Sequence, residues 1–131
     1  MKKFLITAKL QLDKYNSFNL SLETKWFSLA NDIKVELFPI SYKDEKKILS
    51  KNVKFDGVIF SGGGDLNINK NIMENQIRDK FEIKLLKYCF KNNIKTLLVC
   101  RGLQLLASYY NLKLTKKKGH VTKNHLIEIK E

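Results

Sequence analysis

Apolar positions along the chain fall into short runs separated by stretches of helical spacing, an alternation that predicts an α/β fold around a parallel sheet. Lys3–Ala8 reads as a first strand, with Phe4, Leu5 and Ile6 in a row as in a strand buried on both faces. Leu20–Leu29 carries Leu22, Trp26 and Leu29 at helical spacing and predicts an amphipathic helix packed on the sheet. Ile33, Val35 and Leu37 alternate, which predicts a second strand over Lys34–Phe38, stopped by Pro39. A short helix is expected over Asp44–Ser50 and a third strand over Phe55–Phe60. Asp79–Asn92 follows as a helix with Phe81, Leu85, Tyr88 and Cys89 on its inner stripe. Lys95–Val99 reads as a fourth strand, and Gly102–Tyr110 as a helix with Leu103, Leu106, Ala107 and Tyr110 apolar. Two strand-like pieces around Lys116–Asn124 predict a hairpin in the tail.

With 131 residues the chain suits one domain over positions 1–131, and 44% hydrophobic residues mark it as globular. No apolar run is long enough to cross a membrane. Behind Met1-Lys2-Lys3 the apolar stretch ends at Ala8, where Lys9 interrupts, too short for a signal peptide. A cytoplasmic location and no membrane partner are therefore expected, and a reducing compartment suits the two cysteines. The formal charge of +12 raises nucleic acid as a partner. The positive residues are mostly scattered lysines, however, and neither Arg78 nor Arg101 lies in a basic cluster. Lys116-Lys117-Lys118 is the one tight run and reads as a solvated loop, so no nucleic-acid partner is expected. A lysine-coated surface suits a phosphorylated small molecule better.

Parallel sheets place reactive groups where their strands end, which directs attention to the loops after the third and fourth strands. Val99-Cys100-Arg101-Gly102 joins a strand to a helix. A sharp turn there would lift the sulfur out of the sheet and set it at a helix N-terminus, where the dipole favours thiolate. A buried cysteine at a strand end fits this segment equally well. Gly62-Gly63-Gly64 could aim backbone N–H groups at a developing oxyanion, or could be an ordinary flexible turn. No Gly-Lys-Ser/Thr follows, which argues against a P-loop. Cys89, within a helical pattern, reads as a buried inert thiol.

Together these segments resemble the class I glutamine amidotransferase superfamily, and within it the γ-glutamyl-γ-aminobutyrate hydrolase branch. Gly57 to Asp65 is similar to that branch's glycine motif, and Arg78 to Glu82 to its arginine-aspartate helix start. Cys100-Arg101-Gly102-Leu103-Gln104 resembles the elbow, and Gly119-His120 through His125 the following hairpin. The resemblance implies a three-layer, parallel-sheet, flavodoxin-like fold. It further implies Cys100 as nucleophile, with oxyanion-hole N–H groups at Gly63 or Gly64 and at Arg101. Gln104 would bind the glutamyl group, and His120 would line the pocket. For Arg78 and Glu82 a salt-bridged helix start at the pocket edge is the favoured expectation. The implied reaction is γ-glutamyl amide hydrolysis through a thioester, with no metal and no organic cofactor. Its partner is a small-molecule γ-glutamyl substrate, a cytidine diphosphate conjugate among the candidates, and a homo-oligomer is compatible with it.

Leu98 stands where the branch's elbow has glycine, and Ile68 stands near a position usually held by proline. The resemblance also implies a His-x-Glu pair beyond the hairpin, and none occurs before Glu131. The expectation is a domain truncated in its C-terminal part. The alternatives are a pseudoenzyme that only binds its ligand, or recruitment of His120 or His125 as base. Hydrolysis of another γ-glutamyl amide, or a glutaminase subunit, is the runner-up among activities.

Overall fold

The computed structural model describes residues 1–66, 72–116, 118–119, 123–124 and 126–130. Four strands form one parallel sheet in the order β4-β1-β5-β6, comprising β1 (Lys2–Thr7), β4 (Val35–Ile40), β5 (Gly57–Phe60) and β6 (Lys95–Leu98). Counted among the parallel strands alone this is the flavodoxin-like order 2-1-3-4, the doubly wound arrangement expected from the sequence. Register runs Leu5↔Val58 and Ile59↔Leu97, so side chains alternate between the two faces. On one face Leu5, Val58 and Phe60 join a core with Ile48 of α2 (Glu45–Leu49), Phe81, Leu85, Leu86 and Cys89 of α3 (Met73–Lys91), and Leu105 of α4 (Arg101–Tyr109). On the other face Phe4 and Ile59 look toward α1 (Lys25–Asp32) across a trough lined by Trp26 and Ala30. The result is three layers, with helices on both sides of the sheet. Among the described residues no helix is long and apolar enough to cross a membrane.

Several boundaries differ from expectation, each for a local reason. The helix expected over Leu20–Leu29 begins only at Lys25. The segment before it is an antiparallel hairpin, β2 (Lys9–Leu12) with β3 (Phe18–Ser21), paired from Lys9↔Ser21 to Leu12↔Phe18. Asp13 decides this. Its carboxylate accepts the N–H groups of Tyr15 and Ser17 at 2.8 and 2.9 Å and the Asn19 amide at 3.1 Å. Those bonds, the Ser17 N–H foremost, also hold the carboxyl below its ordinary value of 3.8. Such side-chain turns outcompete helix formation, and Leu20 is left half exposed on β3.

Pro39 does not end its strand. β4 continues to Ile40, because it lies at the sheet edge, where one row of backbone donors has no ladder partner to lose. α3 starts at Met73, well ahead of Asp79, so Arg78 and Glu82 lie inside the helix and not at its start. On α4 the inward positions are Arg101, Gly102 and Leu105, while Leu103 and Tyr110 are exposed. The expected tail hairpin falls partly outside the described residues, and the described residues from 112 onward form no strand.

Candidate active site

β1, β5 and β6 all end at one edge of the molecule, and their loops converge there. The tie between the first two is direct. The Ser61 N–H donates to Thr7 Oγ1 at 3.1 Å and the Ser61 hydroxyl donates to the Thr7 carbonyl at 2.5 Å, both side chains being buried. Beyond Ser61 the chain turns through Gly63 and Gly64 at φ of 83° and 75°, a left-handed path that costs glycine little.

Cys100 sits between β6 and α4 at φ 52°, ψ −104°, a conformation sparsely populated by residues with a side chain. Its surroundings hold it there. The Val99 N–H donates to the Phe60 carbonyl at 3.0 Å, the Gly102 N–H to the Val99 carbonyl at 2.9 Å, and the Gln104 N–H to the Cys100 carbonyl at 3.2 Å. A Cβ on Gly102 would lie 2.4 Å from the Phe60 carbonyl oxygen, so α4 can start this close to β5 only with glycine. Leu98 does not prevent the elbow, since it remains in β6 opposite Phe60 and packs partly buried on the core. The thiol of Cys100 is exposed. A Cβ built on Gly62 would come within 3.3 Å of Cys100 Cβ, which places the glycine loop directly against the elbow.

Beneath both loops lies a buried cluster of charge. The Arg78 guanidinium donates to Glu82 Oε1 at 2.8 Å and to the carbonyls of Ser61, Gly62 and Gly63 at 3.2, 3.3 and 2.7 Å. Because carbonyl and N–H point in opposite directions across a trans peptide, gathering the Gly62 and Gly63 carbonyls turns the Gly63 and Gly64 N–H groups the other way. Arg101 donates to the second oxygen of Glu82 and to Asp79. Glu82 thus bridges a guanidinium under the glycine loop and one that begins the elbow helix. Arg78, Glu82 and Arg101 are 3%, 0% and 1% exposed, which makes this a core feature and not a surface pair. Burial draws the Arg78 guanidinium below its ordinary value, and the Glu82 charge works against that pull.

A cavity of about 550 Å³ opens beside the thiol. Cys100, Gly62 and Gly63 line it on the sheet side, and Lys9, Lys25 and Trp26 come from the hairpin and α1. The structure therefore brings Cys100 and Gly63 together. It puts Gly64 beside the Lys9 stem, buries the Arg101 side chain, and leaves Gln104 exposed on α4 outside this cavity. His120, His125 and Ile68 lie outside the described residues. No three His, Cys, Asp or Glu side chains are grouped to hold a metal ion among the described residues.

The sequence did not point to Lys9, and it understated Glu82. A signal for Glu82 was present, because Arg78 and Glu82 occupy the same helical stripe as Phe81, Leu85 and Cys89. Charged residues at core positions imply partners in the core.

The two cysteines differ as their places imply. Burial raises the Cys89 thiol to about 12, leaving it protonated and enclosed. Brief treatment of the folded protein with iodoacetamide near pH 8 is expected to modify Cys100 and spare Cys89, as read by peptide mass spectrometry. Equal modification would mean that α3 opens on the reaction timescale.

Two comparisons bear on the arrangement. The chain is 29% identical over 122 residues to the gamma-glutamyl-CDP-amidate hydrolase of Campylobacter jejuni subsp. jejuni serotype O:2, an alignment covering 91% of this chain. It spans 60% of that relative's length. The sequence profile of the family described as "Glutamine amidotransferase class-I" matches residues 10–131, from the β2 strand onward through both loops of the site. The protein belongs to the class I glutamine amidotransferase family.

Proposed function

We propose that the protein hydrolyses a γ-glutamyl amide through a thioester on Cys100. More narrowly, the substrate is γ-glutamyl-CDP-amidate, and the products are glutamate and cytidine diphosphoramidate. The observation that carries this reading is the exposed thiol held at a left-handed elbow, in one cavity with a glycine loop whose carbonyls are drawn away by Arg78.

In this reading the sulfur attacks the γ-carbonyl carbon and the carbonyl electrons move to oxygen. The N–H groups of Gly63 and Arg101 receive that oxyanion, as preorganised donors at a strand end and a helix start do elsewhere. Collapse breaks the C–N bond, and the departing nitrogen takes the proton that the thiol gave up. Water then attacks the thioester, releasing glutamate and restoring the thiol. A general base for the thiol proton is typically worth roughly 10²–10⁴ in rate. The narrower substrate is supported by the relative's name and by lysines at the cavity. A cytoplasmic setting accords with an exposed free thiol.

A diazoketone analogue of glutamine tests the nucleophile. Stoichiometric labelling confined to Cys100, and slowed at least tenfold by a saturating γ-glutamyl amide, is the expected result. If Cys100 ignores the reagent while iodoacetamide still reaches it, the site binds its ligand without an activated thiol and the hydrolase reading fails.

A further inference from the structure

We propose that the hairpin side of the cavity beside Cys100 is the leaving-group subsite, and that it takes a nucleoside diphosphate held by Lys9, Lys25, Glu23 and Trp26. The inference rests on the hydrolase reading for its direction, since a leaving group must depart from a carbonyl placed at Cys100. Its content comes from the cavity walls.

Lys9 follows β1 directly, and its stem lies over the glycine loop. A Cβ on Gly63 or Gly64 would meet its side-chain carbons at 3.6–3.9 Å. Lys25 opens α1 across the same cavity. Among the described residues neither ammonium has an ion pair or hydrogen bond to a protein group. Two uncommitted cations at one cavity, one of them lying over the oxyanion loop, suit the charged oxygens of a diphosphate. The chain has a single tryptophan, Trp26, and its side chain lines the same wall. An indole offers a flat face on which a nucleobase stacks. Among the described residues Glu23 is the one acid lining the cavity. Its carboxylate would repel phosphate but accepts hydrogen bonds from ribose hydroxyls, the part acids play in nucleotide sites.

Size points the same way. A cavity of about 550 Å³ lies within the range of whole small-molecule sites, and a glutamyl group alone would leave most of it unfilled. Gln104, the residue the family resemblance gives to the glutamyl group, lies outside it. The cavity wall on the hairpin side is therefore left for the leaving-group half of the substrate.

The lone tryptophan makes the test direct. Cytidine 5′-diphosphate titrated into the protein at low salt is expected to quench Trp26 fluorescence saturably below about millimolar, and to slow iodoacetamide at Cys100. Inorganic pyrophosphate should compete with it, and added salt should weaken it. A Lys9→Gln/Lys25→Gln double variant, which keeps part of each aliphatic stem and removes the ammonium charges, should bind at least tenfold more weakly with an unchanged circular dichroism spectrum. The inference is overturned if cytidine diphosphate gives no saturable quenching while the diazoketone still labels Cys100. It is also overturned if glutamate fills the site and the nucleotide does not, or if the double variant binds as tightly as the parent. Loss of both nucleotide binding and diazoketone labelling would instead sink the hydrolase reading along with it.

Discussion

Replacing Glu82 with alanine is expected to lower the unfolding free energy by about 3–5 kcal/mol, a large share of the roughly 5–15 kcal/mol that holds a domain folded. The carboxylate is fully buried and is shared by two buried guanidinium groups, Arg78 at 2.8 Å and Arg101. Removing it leaves two like charges in a low-dielectric site with nothing between them but a cavity. Arg101 Nε already lacks a hydrogen-bond partner among the described residues, and without Glu82 only Asp79 would offset the Arg101 charge. Glu82→Gln should be milder, since the amide oxygen still accepts one hydrogen bond, yet it cannot neutralise either charge. An exposed pair linking the same helix to α2, Lys84 with Glu45 at 2.6 Å, supplies the control. Its loss should cost under about 1 kcal/mol, because water screens it. Urea unfolding followed by circular dichroism separates these outcomes. A Glu82→Ala midpoint as high as that of Lys84→Ala would show that the buried cluster contributes nothing net.

Gly102→Ala is the second large effect expected. In a helix interior this exchange ordinarily stabilises by up to about 1 kcal/mol. Here the new methyl would stand 2.4 Å from the Phe60 carbonyl oxygen and 2.8 Å from Phe60 Cβ, and Phe60 lies in the fully buried strand β5. Neither backbone can yield without breaking the Val99–Phe60 bond at 3.0 Å that anchors the elbow. Overpacking of this kind costs roughly 1–3 kcal/mol, so after the propensity gain the net change is expected to reach about 2 kcal/mol destabilising at most. Displacement of α4 should also carry the thiol away from the glycine loop. Diazoketone labelling of Cys100 is then expected to slow at least tenfold in whatever fraction remains folded, given how steeply such reactions depend on sub-ångström placement. A variant as stable and as reactive as the parent would mean that α4 does not approach β5 this closely in solution.

The central sheet was legible because its information is local. Phe4 to Ile6 and Val58 to Phe60 are apolar without interruption, and strands of that kind have one place to go. The elbow was legible because strand, cysteine and glycine are consecutive. What could not be read was non-local or a contest between local signals. Leu22, Trp26 and Leu29 carry a helical period, but the Asp13 turn claims the residues before Lys25 for a hairpin. Pro39 stops a strand only if its neighbour needs the missing donor, and edge position is a property of the sheet, not of the residue. Lys9 looked like the end of an apolar run, because nothing in the sequence says that β1 ends beside the loop of a strand some fifty residues later.

Glu82 has a consequence for how the site comes into being. Ser61 and Arg78 are 17 positions apart, and Glu82 and Arg101 are 19 apart, so the carboxylate joins two loops that the chain itself connects only through long excursions. A state in which α3 has formed but α4 has not docked would expose a charge pair with half its partners missing. A state with α4 docked and α3 frayed would leave Arg101 buried without its counter-charge. Intermediates of both kinds are penalised, which makes assembly of the loop and the elbow a joint event: the thiol reaches its constrained geometry only when its opposing amides are in place.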